Sequence, residues 1–258
     1  MILKDKVALV TGGSRGIGAA TARLLAREGC HVAVNYRQSR DEADTVVSEI
    51  GERAIALAGD VAKDADCRNI VARTVEKFGR LDILVNNAGT TRFIDFPDLD
   101  AVTDEVWDAI IGANVKGIFQ CARAAAPHLR TNGEGVIINV ASVAGLVGAG
   151  SSIPYAASKA AAINLTTSLA RTLCPEIRVN AVAPGVIDGE WLKRGLGDDF
   201  AEVMETKAEQ ALLKKVSKPE DIAQAILGLV RADLVTGQTL PVDAGAICGA
   251  AMNQGYRW

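Results

Sequence analysis

Thr11-Gly12-Gly13-Ser14-Arg15-Gly16-Ile17-Gly18 is the stretch on which the reading of this chain turns. Val7-Ala8-Leu9-Val10 precedes it, an apolar run short and tightly bounded enough for a buried strand. Residues 19–27 follow with helical composition, up to Gly29, a residue suited to a helix C-terminus. Glycine allows a tight backbone turn and lets a phosphate approach where a Cβ would stand in the way. A helix starting here offers unpaired N–H groups and the positive end of its dipole. Three glycines alone would suit a purely structural turn equally well. The strand-turn-helix setting points to a dinucleotide site built from Gly12, Ser14, Arg15, Gly16, Ile17 and Gly18.

Outward from this turn, apolar runs and helical stretches alternate. Strands are expected at 31–36, 54–58, 81–86, 135–140, 178–182 and 239–242. Helices are expected at 39–50, 63–78, 103–129, 152–172 and 218–230, with Ser39 and Thr103 as candidate caps and Pro219 in a first turn. Such alternation predicts right-handed crossovers and a doubly wound, Rossmann-type, mostly parallel seven-stranded sheet with helices on both faces. No linker and no repeat divides the chain, so 1–258 reads as a single domain. Ligands in such sheets lie at the carboxyl ends of the strands. The long stretch 186–216 lacks clear periodicity and reads as a substrate-covering segment.

Composition narrows the function. The 258 residues are 49% hydrophobic and 23% charged, which allows a sizeable core. No apolar run of about 18 residues is present, so no membrane span is expected. A net charge of −3 with no basic run argues against nucleic acid. The first six residues are too short and too charged for a secretory signal. The five cysteines are widely spaced and odd in number, as for free thiols in a reducing cytoplasm. His31 and His128 have no ligand-like spacing, and no metal is expected.

The loops after the strands carry the chemistry. The second strand ends Asn35-Tyr36-Arg37-Gln38, with no acid for the ribose hydroxyls that an NAD enzyme would bind. Arg37 and Arg15 suit a 2′-phosphate, so NADP is expected over NAD; Arg37 as a solvated loop residue is the alternative. Asp60 and the Val61 backbone fit an adenine. Asn87, Ala88 and Gly89 leave room for a cofactor, while Asn86 and its neighbours can tie strands together. Tyr155 and Lys159 are four apart and share a helix face. A lysine cation beside a phenol favours the phenolate. Ser142, at the end of the fifth strand, can hydrogen-bond a carbonyl oxygen.

Together these residues resemble the short-chain dehydrogenase/reductase family over nearly the whole chain. T-G-x-x-x-G-x-G is met by Thr11 to Gly18, N-N-A-G by Asn86 to Gly89, and Y-x-x-x-K by Tyr155 and Lys159. Asn114 falls at the family's fourth catalytic position. Pro184-Gly185 and Thr236-Gly237-Gln238 with Val242-Asp243 match its closing segments. The resemblance implies hydride transfer between a nicotinamide and a ketone or secondary alcohol. It implies that Tyr155 protonates the carbonyl oxygen and Ser142 polarises it. Lys159 would hold the nicotinamide ribose and lower the Tyr155 pKa, and Asn114 would position a relay water. Two positions depart from the pattern. Gly189 replaces a common Thr, leaving the nicotinamide carboxamide to the Ile187 backbone, and Ala244 replaces a Gly.

Motif spacing and loop lengths are most similar to the 3-oxoacyl carrier-protein reductases, which implies an acyl thioester substrate; sugars and small secondary alcohols are alternatives. An acidic carrier protein would dock on Arg130, Arg171 or Arg178, against the charge of Glu176. Trp191 either covers an apolar substrate or packs in the core. The helix at 152–172 is small or apolar nearly all round, at Ala157, Ala160, Ala161, Leu165 and Ser168. It is expected to meet a second subunit, as in the family's homotetramer, or the chain's own C-terminal tail. A non-catalytic NADP sensor would tend to lose Tyr155, Lys159 or Ser142, and all three are present.

Overall fold

The computed structural model describes residues 1–131 and 133–252. Seven strands form one sheet: β1 Val7–Val10, β2 His31–Tyr36, β3 Ala54–Ala58, β4 Ile83–Asn86, β5 Gly135–Val140, β6 Ile177–Pro184 and β7 Thr239–Val242. Their order is β3-β2-β1-β4-β5-β6-β7, and all neighbours are parallel. The helices are α1 Gly16–Arg27, α2 Arg40–Ile50, α3 Asp64–Phe78, α4 Asp104–Ile111, α5 Gly117–Arg130, α6 Ala144–Val147, α7 Ile153–Leu173, α8 Glu190–Leu196, α9 Phe200–Gln210, α10 Pro219–Arg231 and α11 Ala246–Met252. No helix among the described residues is long and apolar enough to cross a membrane.

Successive strand residues point to opposite faces, so a sheet covered on both sides needs apolar residues at consecutive positions. Leu9, Leu84, Ile137 and Val179 pack beneath α3, α5 and α7. Ala8, Val10, Val85, Ile138 and Val182 pack beneath α1 and α10. Strand order reverses between β1 and β4. Parallel crossovers diverge there and open a crevice at the carboxyl ends of the two strands. Thr11 leaves β1 and Asn87 leaves β4 at this point.

Several expectations need correction. The helix at 103–129 is α4 and α5 joined by a π-helical turn, Gly112–Lys116, in which the Gly117 N–H reaches the Gly112 carbonyl. The added residue lets two contacts coexist: Asn114 bonds to Thr90, and Gly117 lies against Val61. Segment 186–216 is not irregular. It contains α8, a 3₁₀ turn Gly197–Asp199, and α9. These helices hid in the sequence because α8 buries nothing and α9 only Met204, so neither carries an apolar stripe. Ser39 stands at the start of α2 without a side-chain capping bond. Ser152 does cap α7, accepting from the Tyr155 N–H at 3.4 Å.

Ala244 has φ of +56°, the left-handed region that a Cβ disfavours. A glycine there would relieve this strain. Ala244→Gly is expected to stabilise the protein by about 1 kcal/mol and raise Tm by roughly 2–4 °C. Denaturant and thermal midpoints check this, and unchanged midpoints would show that the turn carries no strain.

Candidate active site

The glycine turn is clamped to the end of β4. Asn87 Nδ2 donates to the carbonyls of Thr11 and Gly12, both at 2.9 Å. Thr11 Oγ1 accepts from the N–H groups of Asn87 and Ala88, at 3.0 and 3.1 Å. From the other side, the Gly12 N–H donates to Asn35 Oδ1 at 3.3 Å. Gly18 sits where no side chain fits: a Cβ would stand 2.3 Å from the Gly12 carbonyl oxygen and 2.5 Å from Asn87 Nδ2. Ser14 is buried in the turn, and Gly16 and Ile17 open α1 above it. The packing leaves the α1 N-terminus facing the crevice with no acid in its first turn, which fits a diphosphate.

Arg37 and Asp60 lie at one cleft. With Gln38, Gly59, Lys63 and Asp66 they line an open cleft of about 530 Å³. Lys63 was not singled out by the sequence reading, because a lysine before a helix carries no distinguishing signal. Asp60 is partly committed: its Oδ1 accepts from the Ala62 N–H at 3.0 Å. Arg15 lies apart from this lining and pairs with Glu42 at 3.7 Å, so its charge already has a partner. Val61 is buried, its carbonyl accepting from Cys67 Sγ and Gln120 Nε2. The cysteines among the described residues are free, with Cys67 and Cys121 buried side by side at 3.5 Å. His31 packs against Phe78 with tilted rings, centroids 5.1 Å apart, at the opposite end of the sheet.

Tyr155, Ser142, Lys159 and Asn114 converge at the carboxyl ends of β4 and β5. Lys159 is buried, and its Nζ donates to the Val140 carbonyl at 2.8 Å. It lies 5.6 Å from the centre of the Tyr155 ring. The Ser142 hydroxyl faces the Pro184 carbonyl at 3.4 Å and accepts from the Ala144 N–H at 3.1 Å. Asn114 Nδ2 donates to the Thr90 carbonyl and to Ser158 Oγ, both at 3.0 Å, while its Oδ1 accepts from the Thr90 N–H at 2.8 Å. Gly89 is the floor between them, a Cβ there standing 3.1 Å from Asn114 Oδ1 and 3.7 Å from Lys159 Nζ. Beneath the site, Asn86 Nδ2 donates to Asn139 Oδ1 and Asn139 Nδ2 to Thr166 Oγ1, tying β4, β5 and α7 together.

Burial dominates the electrostatics of Tyr155 and Lys159. Desolvation by burial pushes the Tyr155 hydroxyl up to about 12, and a hydrogen bond with Ser142 only partly opposes this. Burial pushes Lys159 down to about 8. Burial thus opposes the phenolate that a neighbouring cation would favour. The lysine ammonium is directed at Val140, and its own charge is disfavoured by the same loss of water. The arrangement holds a protonated phenol next to a hydroxyl, which is the equipment of a proton donor.

The remaining residues close the site. The Gly185 N–H donates to the Val242 carbonyl at 3.0 Å. Ile187 pairs with Ser217. Gly189 begins α8 with extended backbone, and a Cβ there would meet only Ile187 at 3.8 Å, so the missing Thr is not excluded by space. Trp191 is 51% exposed and stands edge-on to Tyr155, ring centroids 6.2 Å apart at 89°, which excludes the core alternative. Arg178 is committed inside the fold and is not free to dock a carrier. Its guanidinium donates to the Leu229, Val230 and Val235 carbonyls, at 3.1, 2.7 and 3.1 Å, because it closes the end of α10. Arg130 and Arg171 are exposed.

Residues 6–218 match the family model described as short chain dehydrogenase. The chain is 48% identical over 240 residues to the Streptomyces violaceoruber protein designated ketoacyl reductase 2 of the granaticin polyketide synthase, covering 93% of this chain and 95% of that one. It is 40% identical over 249 residues to the 3-oxoacyl-acyl-carrier-protein reductase FabG of Staphylococcus epidermidis, covering 93% and 98%. A crystal structure of a short-chain dehydrogenase/reductase from Burkholderia xenovorans superposes with a TM-score of 0.87 at 40% identity, covering 94% and 98%.

Proposed function

Because the chain belongs to the short-chain dehydrogenase family, an oxidoreductase family acting on CH–OH groups with a nicotinamide cofactor, we propose that it is an NADPH-dependent reductase of 3-oxoacyl thioesters. One observation carries the reading. Tyr155 stands in hydrogen-bonding contact with Ser142, with Lys159 beside its ring, at the rim where the glycine turn opens, and burial pushes its hydroxyl up. In this reading the Ser142 hydroxyl orients the substrate carbonyl oxygen, and Tyr155 donates its proton to that oxygen. Lys159 and a water held at Asn114 return a proton to Tyr155. Asn114 acts from a fixed position, since its amide is engaged by Thr90 and Ser158.

The cofactor's phosphates fit the turn from Gly12 to Gly18, its adenine the Asp60–Val61 rim, and its nicotinamide half Asn87, Ala88, Gly89, Tyr155, Lys159, Pro184, Gly185 and the Ile187 backbone. Bound there, the reduced nicotinamide supplies the hydride. Arg37, with no acid at the end of β2, supports NADP, aided by Arg15 once a 2′-phosphate displaces Glu42. The ketoacyl names of the relatives and the half-exposed Trp191 over Tyr155 support an acyl substrate. Segment 186–216 covers that substrate, and Arg130 and Arg171 remain for an acidic carrier. On α7, Ala157, Ala160 and Ser168 are exposed, and Phe119 is exposed on α5. This supports a homotetramer paired through these helices. The other candidate partner, the chain's end beyond Met252, lies outside the described residues.

The test is NADPH oxidation over acetoacetyl thioesters, free and carrier-bound, beside sugars and small ketones, with Kd values for NADPH and NADH. Reduction of the thioester and at least about tenfold tighter NADPH binding are expected. Activity confined to sugars, or a preference for NADH, would overturn the corresponding part. Light scattering at the mass of one chain would remove the tetramer.

A further inference from the structure

Segment 188–216 leaves the sheet after β6 and returns before α10. Its neck is closed where the Asp188 N–H donates to the Ser217 carbonyl at 2.9 Å. Above that neck α8 buries none of its residues fully, and it makes two contacts at the mouth of the cleft. Trp191 and Gly195 are four residues apart, hence on one face of α8. Trp191 meets Tyr155 edge-on. Gly195 lies against the distal end of the Phe93 ring, so close that a Cβ would stand 2.1 Å from Phe93 Cζ.

Phe93 belongs to the connection after β4, and that connection is braced. The Ile94 N–H donates to the Ser151 carbonyl at 2.9 Å, and Thr91 Oγ1 lies 2.6 Å from Ser151 Oγ. Ser151 directly precedes Ser152, which caps the helix carrying Tyr155. Contacts therefore run without a break from α8, through Phe93 and Ser151, to the start of the catalytic helix. Phe93 remains 42% exposed, leaving apolar area beside Trp191 for an entering chain to cover.

We infer that Phe93 seated on Gly195 is a latch that holds α8 across the cleft mouth and presents Trp191 to the substrate. Both are positioning residues for the reduction, an inference that rests on the proposed thioester substrate. Glycine inside a helix is about 1 kcal/mol worse than alanine. Gly195→Ala therefore favours α8 itself, and any loss it causes comes from the displaced Phe93 ring rather than from an unwound helix.

The experiment compares Gly195→Ala, Phe93→Ala and the double variant in the NADPH-loaded enzyme. Each single variant is expected to raise KM for acetoacetyl thioester by about tenfold with kcat within about threefold, the pattern of lost ground-state positioning. Trypsin is expected to cut several-fold faster after Lys193 and Arg194, both exposed on α8. The double variant is expected to be no worse than Phe93→Ala, because the new methyl occupies the space the ring vacated. Unchanged KM and cleavage in Gly195→Ala, or additive losses in the double variant, would overturn the latch. Cleavage requires no substrate. If the wild type reduces no thioester yet both variants are cut faster, the substrate reading fails and the latch stands.

Discussion

Tyr155→Phe is expected to lower turnover by about a thousandfold while leaving NADPH binding within about twofold. The substitution removes one oxygen and keeps the ring, so the edge contact with Trp191 and the packing of α7 persist. What is lost is the proton donor and the hydrogen-bond partner of Ser142. The pH dependence separates the two buried groups. Tyr155, pushed up to about 12, stays protonated throughout the neutral range and far above it. Lys159, pushed down to about 8, loses its proton first. The reduction rate is therefore expected to fall as pH rises through about 8, with Lys159 as the titrating group. Steady-state kinetics with a cofactor-binding titration decide the matter. Normal turnover in the phenylalanine variant would eliminate Tyr155 as the donor.

Gly18→Ala is expected to weaken NADPH binding by about a hundredfold and to lower Tm, a combined effect of about 1–3 kcal/mol or more from overpacking. The new Cβ would collide with the Gly12 carbonyl and with Asn87 Nδ2, and it would stand 2.9 Å from Gly13 Cα. Backbone on one side and a doubly bonded amide on the other leave nothing free to yield. Gly228→Ala is the control. That glycine is in α10 with no atom within 4 Å of an added Cβ. Alanine there should be neutral or stabilising by up to about 1 kcal/mol. A calorimetric Kd and a thermal melt on each variant suffice. Equal behaviour of the two would mean that the turn does not depend on close approach at Gly18.

Much of this site was legible in the chain because its signals are local. The glycine turn and the Tyr155–Lys159 pair each depend on spacing within a few residues, and strand periodicity placed Ser142 and Asn87 at the correct sheet edge. Phe93 and Gly195 could not be found this way. They are distant in sequence, lie in segments without an apolar stripe, and matter only for their contact. The same holds for Lys63 beside Arg37, for Arg15 turned toward Glu42, and for Arg178, which looks like a surface charge until its carbonyl partners are seen.

By itself, the amino-acid order determined the alternating elements, the parallel sheet and the roster of chemical groups at its carboxyl rim. Those follow from apolar periodicity, glycine's missing Cβ and helical spacing, which neighbours along the chain decide. Only the tertiary structure decided the protonation of those groups and the path of the covering segment. Burial pushes Tyr155 up and Lys159 down, against the phenolate that a cation beside it favours. The π-helical turn at Asn114 and the docking of α8 arise from contacts between distant segments. Desolvation and packing are properties of the folded surroundings, and no window of sequence contains them.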